Sequence, residues 1–599
     1  MIDNNTPRYL ILGSDERLWN FNCPVVFLGN WCCLYKRKES WSSMDFIIAD
    51  PFSKLSERKK IHSSARQLER ELFPILCDLL NDYHNTQHDN RFWKIVLGLW
   101  FYRYINVIYN RIETLNKCIN NYNISGLSII DSSNYDLSTR DSKSAIWSFN
   151  DDRWNNMLYS RIIDIIKPSI DFPVDVIYFD DKNTHFIFNN NNNNNNNKPL
   201  YKMFVSKILR YGNSLLCKFS MKDDNFIINS YLPRVLEMKL NLAFGSLPKI
   251  WTNNNYIVNE KSNATVRKNL TDRMSLSCTN SVKSVAQKML FEMIPVCYLE
   301  GFDELFKSSK LKRWPDMPKF IFTSGSYDTD ETFKLWTALK VKKGSNYIIA
   351  QHGNLGQIES DTQHIIDERV ADKFISWGWS DHKRKVLPGF IFKTSGRVVK
   401  KRNLSVGILM ILCHYPHRSS ILDKSVDYID TFQNHINFIK KLPVELKLLL
   451  TIRIHSEWKN FNFNEKERLE IFNGKVNIDY GSGSINSLVE NSRIVIHGYD
   501  STGILETLSM NLPTLAFWSG GLENLRDDVK PYYELLVECG IIHFSPESMS
   551  SKILDVWQNV DSWWYSKSIQ FARKKFCEQY AKKCNRPVGM LVDILNIES

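Results

Sequence analysis

What this sequence lacks removes several classes of protein at once. It has no run of about 18 apolar residues, the length a membrane-crossing helix needs. Its most apolar long stretch, Phe92–Tyr109, is interrupted by Lys94 and Arg103. Asp3 and a predicted strand at Tyr9–Leu12 leave no apolar core for a signal peptide, so none is expected. The 12 cysteines form no Cys-x-x-Cys pair and no Cys/His ligand spacing. They read as reduced thiols of a cytoplasmic protein, without structural zinc. No RNP aromatic pattern or zinc finger marks a nucleic-acid partner. The best phosphate-binding candidate lacks both the Gly-x-Gly-x-x-Gly of dinucleotide enzymes and the Gly-Lys-Ser/Thr of a P-loop.

That candidate is Arg493–Trp518. Ile494–Ile496 is a β-branched run of the kind that forms a buried strand. His497–Asp500 breaks it, Ser501 and Thr502 stand where a helix N-cap belongs, and Leu505 and Leu508 follow at helical spacing. Asn511 and Pro513 end the helix, and Thr514–Trp518 begins another strand. Such a unit aims backbone N–H groups at the carboxyl edge of a parallel sheet, where α/β folds bind phosphates. Ser501 and Thr502 suit a diphosphate or monophosphate, held by hydroxyls and N–H groups. Glu506, one turn on, would accept hydrogen bonds from a ribose diol, and His497 precedes the turn.

Other strand ends carry chemistry too. Tyr9–Gly13 and Val25–Gly29 are predicted parallel strands, and the loop after the first holds Asp15 and Glu16, either of which suits a base for an acceptor hydroxyl. Lys319–Thr323, Tyr347–Ala350 and Lys373–Trp377 are three more. The second of these ends in Gln351-His352-Gly353, where an imidazole at a glycine-flanked edge suits a base or an anion ligand. Arg453 and His455 follow a later strand and are placed to neutralise a leaving phosphate. Asp328-Thr329-Asp330 matches a short metal-binding pattern, but Asp328 with Glu331 also fits a capping box, and no metal is expected. The aromatic stripe Phe92, Trp93, Trp100 and Tyr104 is expected in the core.

The formal net charge is +12, concentrated locally at Lys383–Arg402. Asn116–Thr271 is Asn-rich and includes an unbroken tract at Asn189–Asn197, which cannot bury apolar area. Its flank Val174–Phe179 is a possible arm of a hairpin-like insertion.

Taken together, these segments resemble a family of transferases first catalogued in Leptospira and found in bacterial surface-polysaccharide and O-antigen loci. The resemblance is carried by Asp15–Trp19, Phe27–Cys32 (FLGNWC), Arg91–Trp100 (RFWKIVLGLW), Gln351–Gly353, Phe374–Trp379 (FISWGW) and Ser501–Trp518. It departs after Gly353, where Asn354 and Leu355 stand before Gly356 in place of the usual Gly and aromatic, and in the loop after Arg453, which is not of the usual Tyr-Pro type. It implies an α/β fold of two Rossmann-like domains facing a cleft (GT-B-like), with an Asn-rich insertion in the N-terminal half. The expected division is an acceptor domain over 1–390 with the insertion at about 116–271, a basic linker over 391–402, a nucleotide-sugar domain over 403–565, and a C-terminal helix over 566–599 that packs back on the first domain.

It also implies a cytoplasmic, metal-independent glycosyltransferase. Asp15, Glu16 or His352 would be catalytic. Gly353, Arg453, His455, His497, Ser501, Thr502, Gly503 and Glu506 would bind the donor. A nucleotide-sugar and a glycan or lipid-linked glycan are the expected partners, with no other cofactor. The basic stretch suggests peripheral contact with an anionic membrane. A non-catalytic or non-glycosyl transferase component of a polysaccharide assembly complex is the alternative reading.

Overall fold

The computed structural model describes residues 6–50, 52, 54–179, 221–249, 258–274, 281–312, 314–353, 370–380, 385–397, 407–413, 425–523 and 525–596. The Asn tract, residues 354–356 and part of the basic stretch lie outside them.

Short β-branched and aromatic runs, buried on both faces, build three parallel sheets. The first contains β1 (Arg8–Ile11), β2 (Val25–Phe27), β3 (Phe46–Ile48), β4 (Ile124–Ile130) and β5 (Val174–Ile177), in the order β3-β2-β1-β4-β5. The second contains β6 (Phe226–Ile227), β7 (Phe320–Thr323), β8 (Asn346–Ala350), β9 (Lys373–Ser376) and β10 (Val386–Pro388), ordered β10-β9-β8-β7-β6. The third contains β11 (Ile408–Ile411), β12 (Leu450–Arg453), β13 (Asn477–Asp479), β14 (Ile494–His497), β15 (Thr514–Phe517) and β16 (Ile542–His543), ordered β13-β12-β11-β14-β15-β16. In the first and third sheets the chain starts centrally and reverses direction, at β1/β4 and β11/β14. Each therefore has a switch point at its carboxyl edge, the place where such sheets receive ligands.

The mixed α/β class with parallel sheets is as the sequence implies. The division of the N-terminal half is not. Where one Rossmann-like unit with an insertion at 116–271 was expected, there are two sheets, and β4, β5 and β6 from that stretch are integral strands. Val174–Ile177 is no hairpin arm; it pairs parallel with β4. The Asn-rich composition hides these strands because β5 and β6 are short, four and two residues, and carry little periodic signal.

Two long helices, Leu55–His84 and Asn90–Asn121, connect β3 to β4. Phe92, Trp93, Trp100 and Tyr104 are all buried there, so the aromatic stripe is core. No helix among the described residues is long and apolar enough to cross a membrane.

Two chain crossings join the second sheet to the third unit. In one, Lys393–Arg397 leaves the second sheet and docks on the helix Thr502–Ser509. Thr394 Oγ1 meets Ser509 Oγ at 3.1 Å, and Arg397 donates to Asn486 at 2.8 Å. In the other, the helix Lys567–Tyr580 packs on the third unit, with Phe576 against Tyr533 and Arg573 donating to the Leu508 carbonyl. The chain then returns: Lys582 N–H donates to the Trp377 carbonyl, and Ile391 N–H donates to that of Lys582, both at 2.9 Å. Helix Pro587–Asn596 finally buries Leu591 and Leu595 among Ile227, Phe320, Phe322 and Ile348 of the second sheet. Gly378 is required where this strap passes. Its φ is +139°, and a Cβ there would lie 2.7 Å from the Gln579 carbonyl oxygen.

Candidate active site

The helix Thr502–Ser509 begins directly after β14. Ser501 holds the extended N-cap conformation, but its hydroxyl turns inward to His497 Nδ1 at 3.3 Å. His497 Nε2 meets Thr507 Oγ1 at 3.1 Å, and burial pushes its pKa down to about 3. This imidazole is neutral and walled in, 1% exposed. Gly503 lets the helix pass over it, because a Cβ there would lie 2.6 Å from His497 Cε1. His497, Ser501 and Gly503 thus shape the turn from behind. The side chains of His497 and Ser501 bond inward, so what this turn offers in front is its backbone N–H groups.

Thr502 and Glu506 face the other way. A Cβ on Gly353 would lie 3.0 Å from Thr502 Oγ1, so the loop after β8 meets this helix start. The carboxyl edges of the second and third sheets converge here. Gln351 fixes the loop from beneath: its Oε1 accepts from the Trp377 N–H at 2.9 Å and Trp379 Nε1 at 3.0 Å, and its Nε2 donates to the Gly353 carbonyl at 2.9 Å.

His352 projects into the cleft from this clamped loop. Its Nδ1 bonds the Tyr327 hydroxyl at 3.0 Å, and its ring lies 6.0 Å from that of Tyr231, nearly parallel. Although its outer surface is exposed, the protein mass around it lowers its pKa; the Asp328 charge opposes this, and the Lys393 and Arg103 charges add to it. Burial would raise the Asp328 carboxyl, but Arg103 grips it at 2.6 and 3.0 Å and holds it below the usual range. Burial raises the pKa of Glu506, opposed by Lys393 and Arg397. Lys393 Nζ stands 3.8 Å from Glu506 Oε1 and 5.1 Å from the Tyr231 ring centre.

A match to the family's model runs over residues 8–595, nearly the whole chain. The chain belongs to the LIC12162 family of transferases. No curated protein matches it. Solved structures similar to it include the S. aureus MnaA–UDP co-structure, 10% identical over 79% of this chain and 96% of that one, with a TM-score of 0.32. UDP-GlcNAc 2-epimerase from Neisseria meningitidis bound to UDP-GlcNAc is 11% identical over 62% and 91%, TM-score 0.33. The wall teichoic acid polymerase TagF is 12% identical over 53% and 76%, TM-score 0.29. These likenesses are remote.

In this LIC12162 family transferase the other predicted residues lie apart from His352. Arg453 pairs with Asp479 at 2.9 Å and donates to the Gly483 carbonyl at 3.0 Å, and its side chain is only 11% exposed. Its partner is Asp479, so this guanidinium is already committed. His455 Nδ1 accepts the Glu457 N–H at 3.2 Å on the same loop. Asp15 and Glu16 lie after β1, in the first sheet. Asp15 caps the turn Glu16–Leu18 and binds the Arg17 guanidinium at 2.6 Å. Burial raises its pKa, but Arg17 prevails and holds the carboxyl low. The first sheet's loops reach the third unit on the β12 side, where Arg468 lies over the Tyr35 ring at 4.3 Å and Trp147 stacks on Phe461.

The capping-box reading also shifts. Asp330, not Asp328, caps the helix Glu331–Lys342, accepting the Phe333 N–H at 2.8 Å. Glu331 is buried with Lys334 at 2.9 Å and accepts from the Tyr298 hydroxyl at 2.7 Å. Both aspartates of the short acidic pattern are thus engaged by the protein itself.

Sequence reasoning missed Tyr231, Tyr327, Arg103 and Lys393. Tyr327 had a signal, its place directly after β7. Tyr231 carried none; its φ of +61°, beside Asn229 at +48°, emerges only in three dimensions. A bulky residue held there costs on the order of 1–3 kcal/mol, and such strain tends to gather at functional sites. The surrounding bonds hold it: Ser324 Oγ donates to the Ser230 carbonyl at 2.9 Å, and Glu237 accepts from the Ser230 N–H at 2.8 Å.

Proposed function

We propose that this transferase moves a sugar from a nucleotide-activated donor to a surface-polysaccharide acceptor, in the cleft between its second and third sheets. The observation that carries this reading is the approach of Gly353 to Thr502, which puts an imidazole and a helix N-terminus in one cleft. The first N–H groups of Thr502–Ser509 suit the donor phosphates. Glu506 suits the ribose hydroxyls.

His352 has the features of a base. In the tautomer whose Nδ1–H donates to the Tyr327 hydroxyl, Nε2 carries the lone pair, and the lowered pKa keeps it available at neutral pH. Nε2 takes the proton from the acceptor hydroxyl as its oxygen bonds the anomeric carbon. The bond from that carbon to the phosphate oxygen breaks, and the nucleoside diphosphate leaves with the electron pair. Fixed N–H groups stabilise the departing charge, so the step needs no metal.

Membrane contact through the basic stretch has less support. Two of its described members are engaged elsewhere: Lys393 lies over the Tyr231 ring and Arg397 is bonded to Asn486.

The test is thermal stabilisation of the purified chain by a panel of nucleotide-sugars, followed by nucleoside diphosphate release with the best of them. A ligand bound to the native state raises the melting temperature. Stabilisation by one donor and turnover cut by about a hundredfold or more in His352→Ala are expected. If no nucleotide stabilises the protein, the reading fails.

A further inference from the structure

We infer that Lys393 is a partner-switching cation, paired with Glu506 in the empty cleft and moving to the donor's diphosphate when the ribose takes Glu506. The inference rests on the nucleotide reading above and adds the residue that meets the charge.

A diphosphate at a helix start carries more negative charge than a few N–H groups neutralise. Among the described residues, the two arginines at the cleft wall are committed, Arg103 to Asp328 and Arg397 to Asn486. Lys393 is held differently. Its ion-pair contact is long, 3.8 Å, and both partners keep part of their surface open, 31% and 24%. The ammonium also rests above the Tyr231 ring, so it lies between the Glu506 and His352 sides of the cleft.

The distances suit a switch. Glu506 and Thr502 are four residues apart on one helix, about 6 Å along its axis. A lysine stem with four rotatable carbons swings that far while its backbone stays still. The backbone is anchored here, since Thr394 bonds Ser509 and Gly396 turns the chain at a φ of +72°. Ribose hydroxyls donating to Glu506 displace the ammonium. The rigid Tyr231 platform keeps it over the cleft, where the phosphates lie.

The experiment is calorimetric titration of the full chain with UDP, GDP and dTDP, each beside its parent nucleoside. The wild type is expected to bind one diphosphate. Lys393→Met should weaken that diphosphate about tenfold or more, the size of one charge-assisted hydrogen bond, and leave the nucleoside unchanged or slightly tighter. Lys393→Arg should recover part of the loss. Glu506→Gln should weaken diphosphate and nucleoside alike. Equal weakening of both by Lys393→Met would make Lys393 a structural strut and overturn the inference, as would no weakening at all. If the wild type binds none of the three diphosphates, the nucleotide reading falls and takes this inference with it. Wild-type binding with an indifferent Lys393→Met removes the inference alone.

Discussion

The loop after β1 and the loop after β8 look alike on paper. Each follows a parallel strand, and each carries a glycine, an aromatic residue or imidazole, and groups able to move a proton. In space they differ. The β1 loop is also braced from outside, by Asp152 on the Ser14 hydroxyl and by Arg37 on the Ser14 carbonyl, but its carboxylate is matched from within: Asp15 is held by Arg17 two residues away, and Trp19 donates back to the Gly13 carbonyl at 3.0 Å. The β8 loop is built by others. Tyr327 and Tyr231 come from the ends of two neighbouring strands, Gln351 ties it to Trp377 and Trp379, and Thr502 faces it from the third sheet. A reactive group at a strand end becomes a site when separate elements converge on it. A carboxylate that finds its cation within its own turn is already spoken for.

The sharpest way to break this contrast is to remove each group. His352→Ala is expected to cut turnover by about 10²–10⁴-fold, the usual range for a general base, with little change in melting temperature. Asp15→Asn should leave turnover within about threefold and cost less than about 1 kcal/mol of stability, because Asn still caps the turn and only the ion pair with the exposed Arg17 is lost. Steady-state rates and thermal melts of both variants decide it; comparable losses of turnover would erase the distinction.

The next test uses pH. A base must be neutral to accept a proton, and His352 is shifted below the ordinary imidazole value of 6.5. The acid limb of the rate profile should therefore fall below pH 6.5. Asp328 opposes the downward shift, so Asp328→Asn should move the limb to lower pH still, while Lys393→Met should move it up. Profiles of kcat/KM for the three proteins read this directly, and a limb that ignores both substitutions would detach His352 from the proton step.

The smallest expected effect lies away from the chemistry. Gly378→Ala places a methyl group against the strap at a positive φ, and about 1–3 kcal/mol of stability should go. The melting temperature should fall by a few degrees while the Michaelis constant holds, if the strap supports the cleft without touching substrate.

Much of the frame was legible. Ile494–Ile496, Thr514–Trp518 and Tyr347–Ala350 announce buried strands by composition, and each forms one. The helix start at Thr502 and the His352 loop follow from the same pattern. The rest depended on pairings that no local window contains. Arg453 stands opposite Asp479 only because β12 and β13 pair in that register. Arg103 reaches Asp328 from a helix far earlier in the chain, and Tyr231 lies in the loop after a two-residue strand inside Asn-rich sequence. Division of the N-terminal half into two sheets failed to show for the same reason, since strand order is a tertiary fact.

The return of the chain to the second sheet sets the order in which the molecule can be finished. Synthesis runs from the N-terminus, and units generally fold as they emerge. The second sheet cannot do so fully: Leu591 and Leu595 fill its interior, and they are made only after the whole third unit. On the ribosome this sheet waits with an open hydrophobic face, and it closes only when the final helix docks. An imperfect late helix would therefore harm an early-made part, and nascent chains stalled in the third unit should expose apolar surface to chaperones.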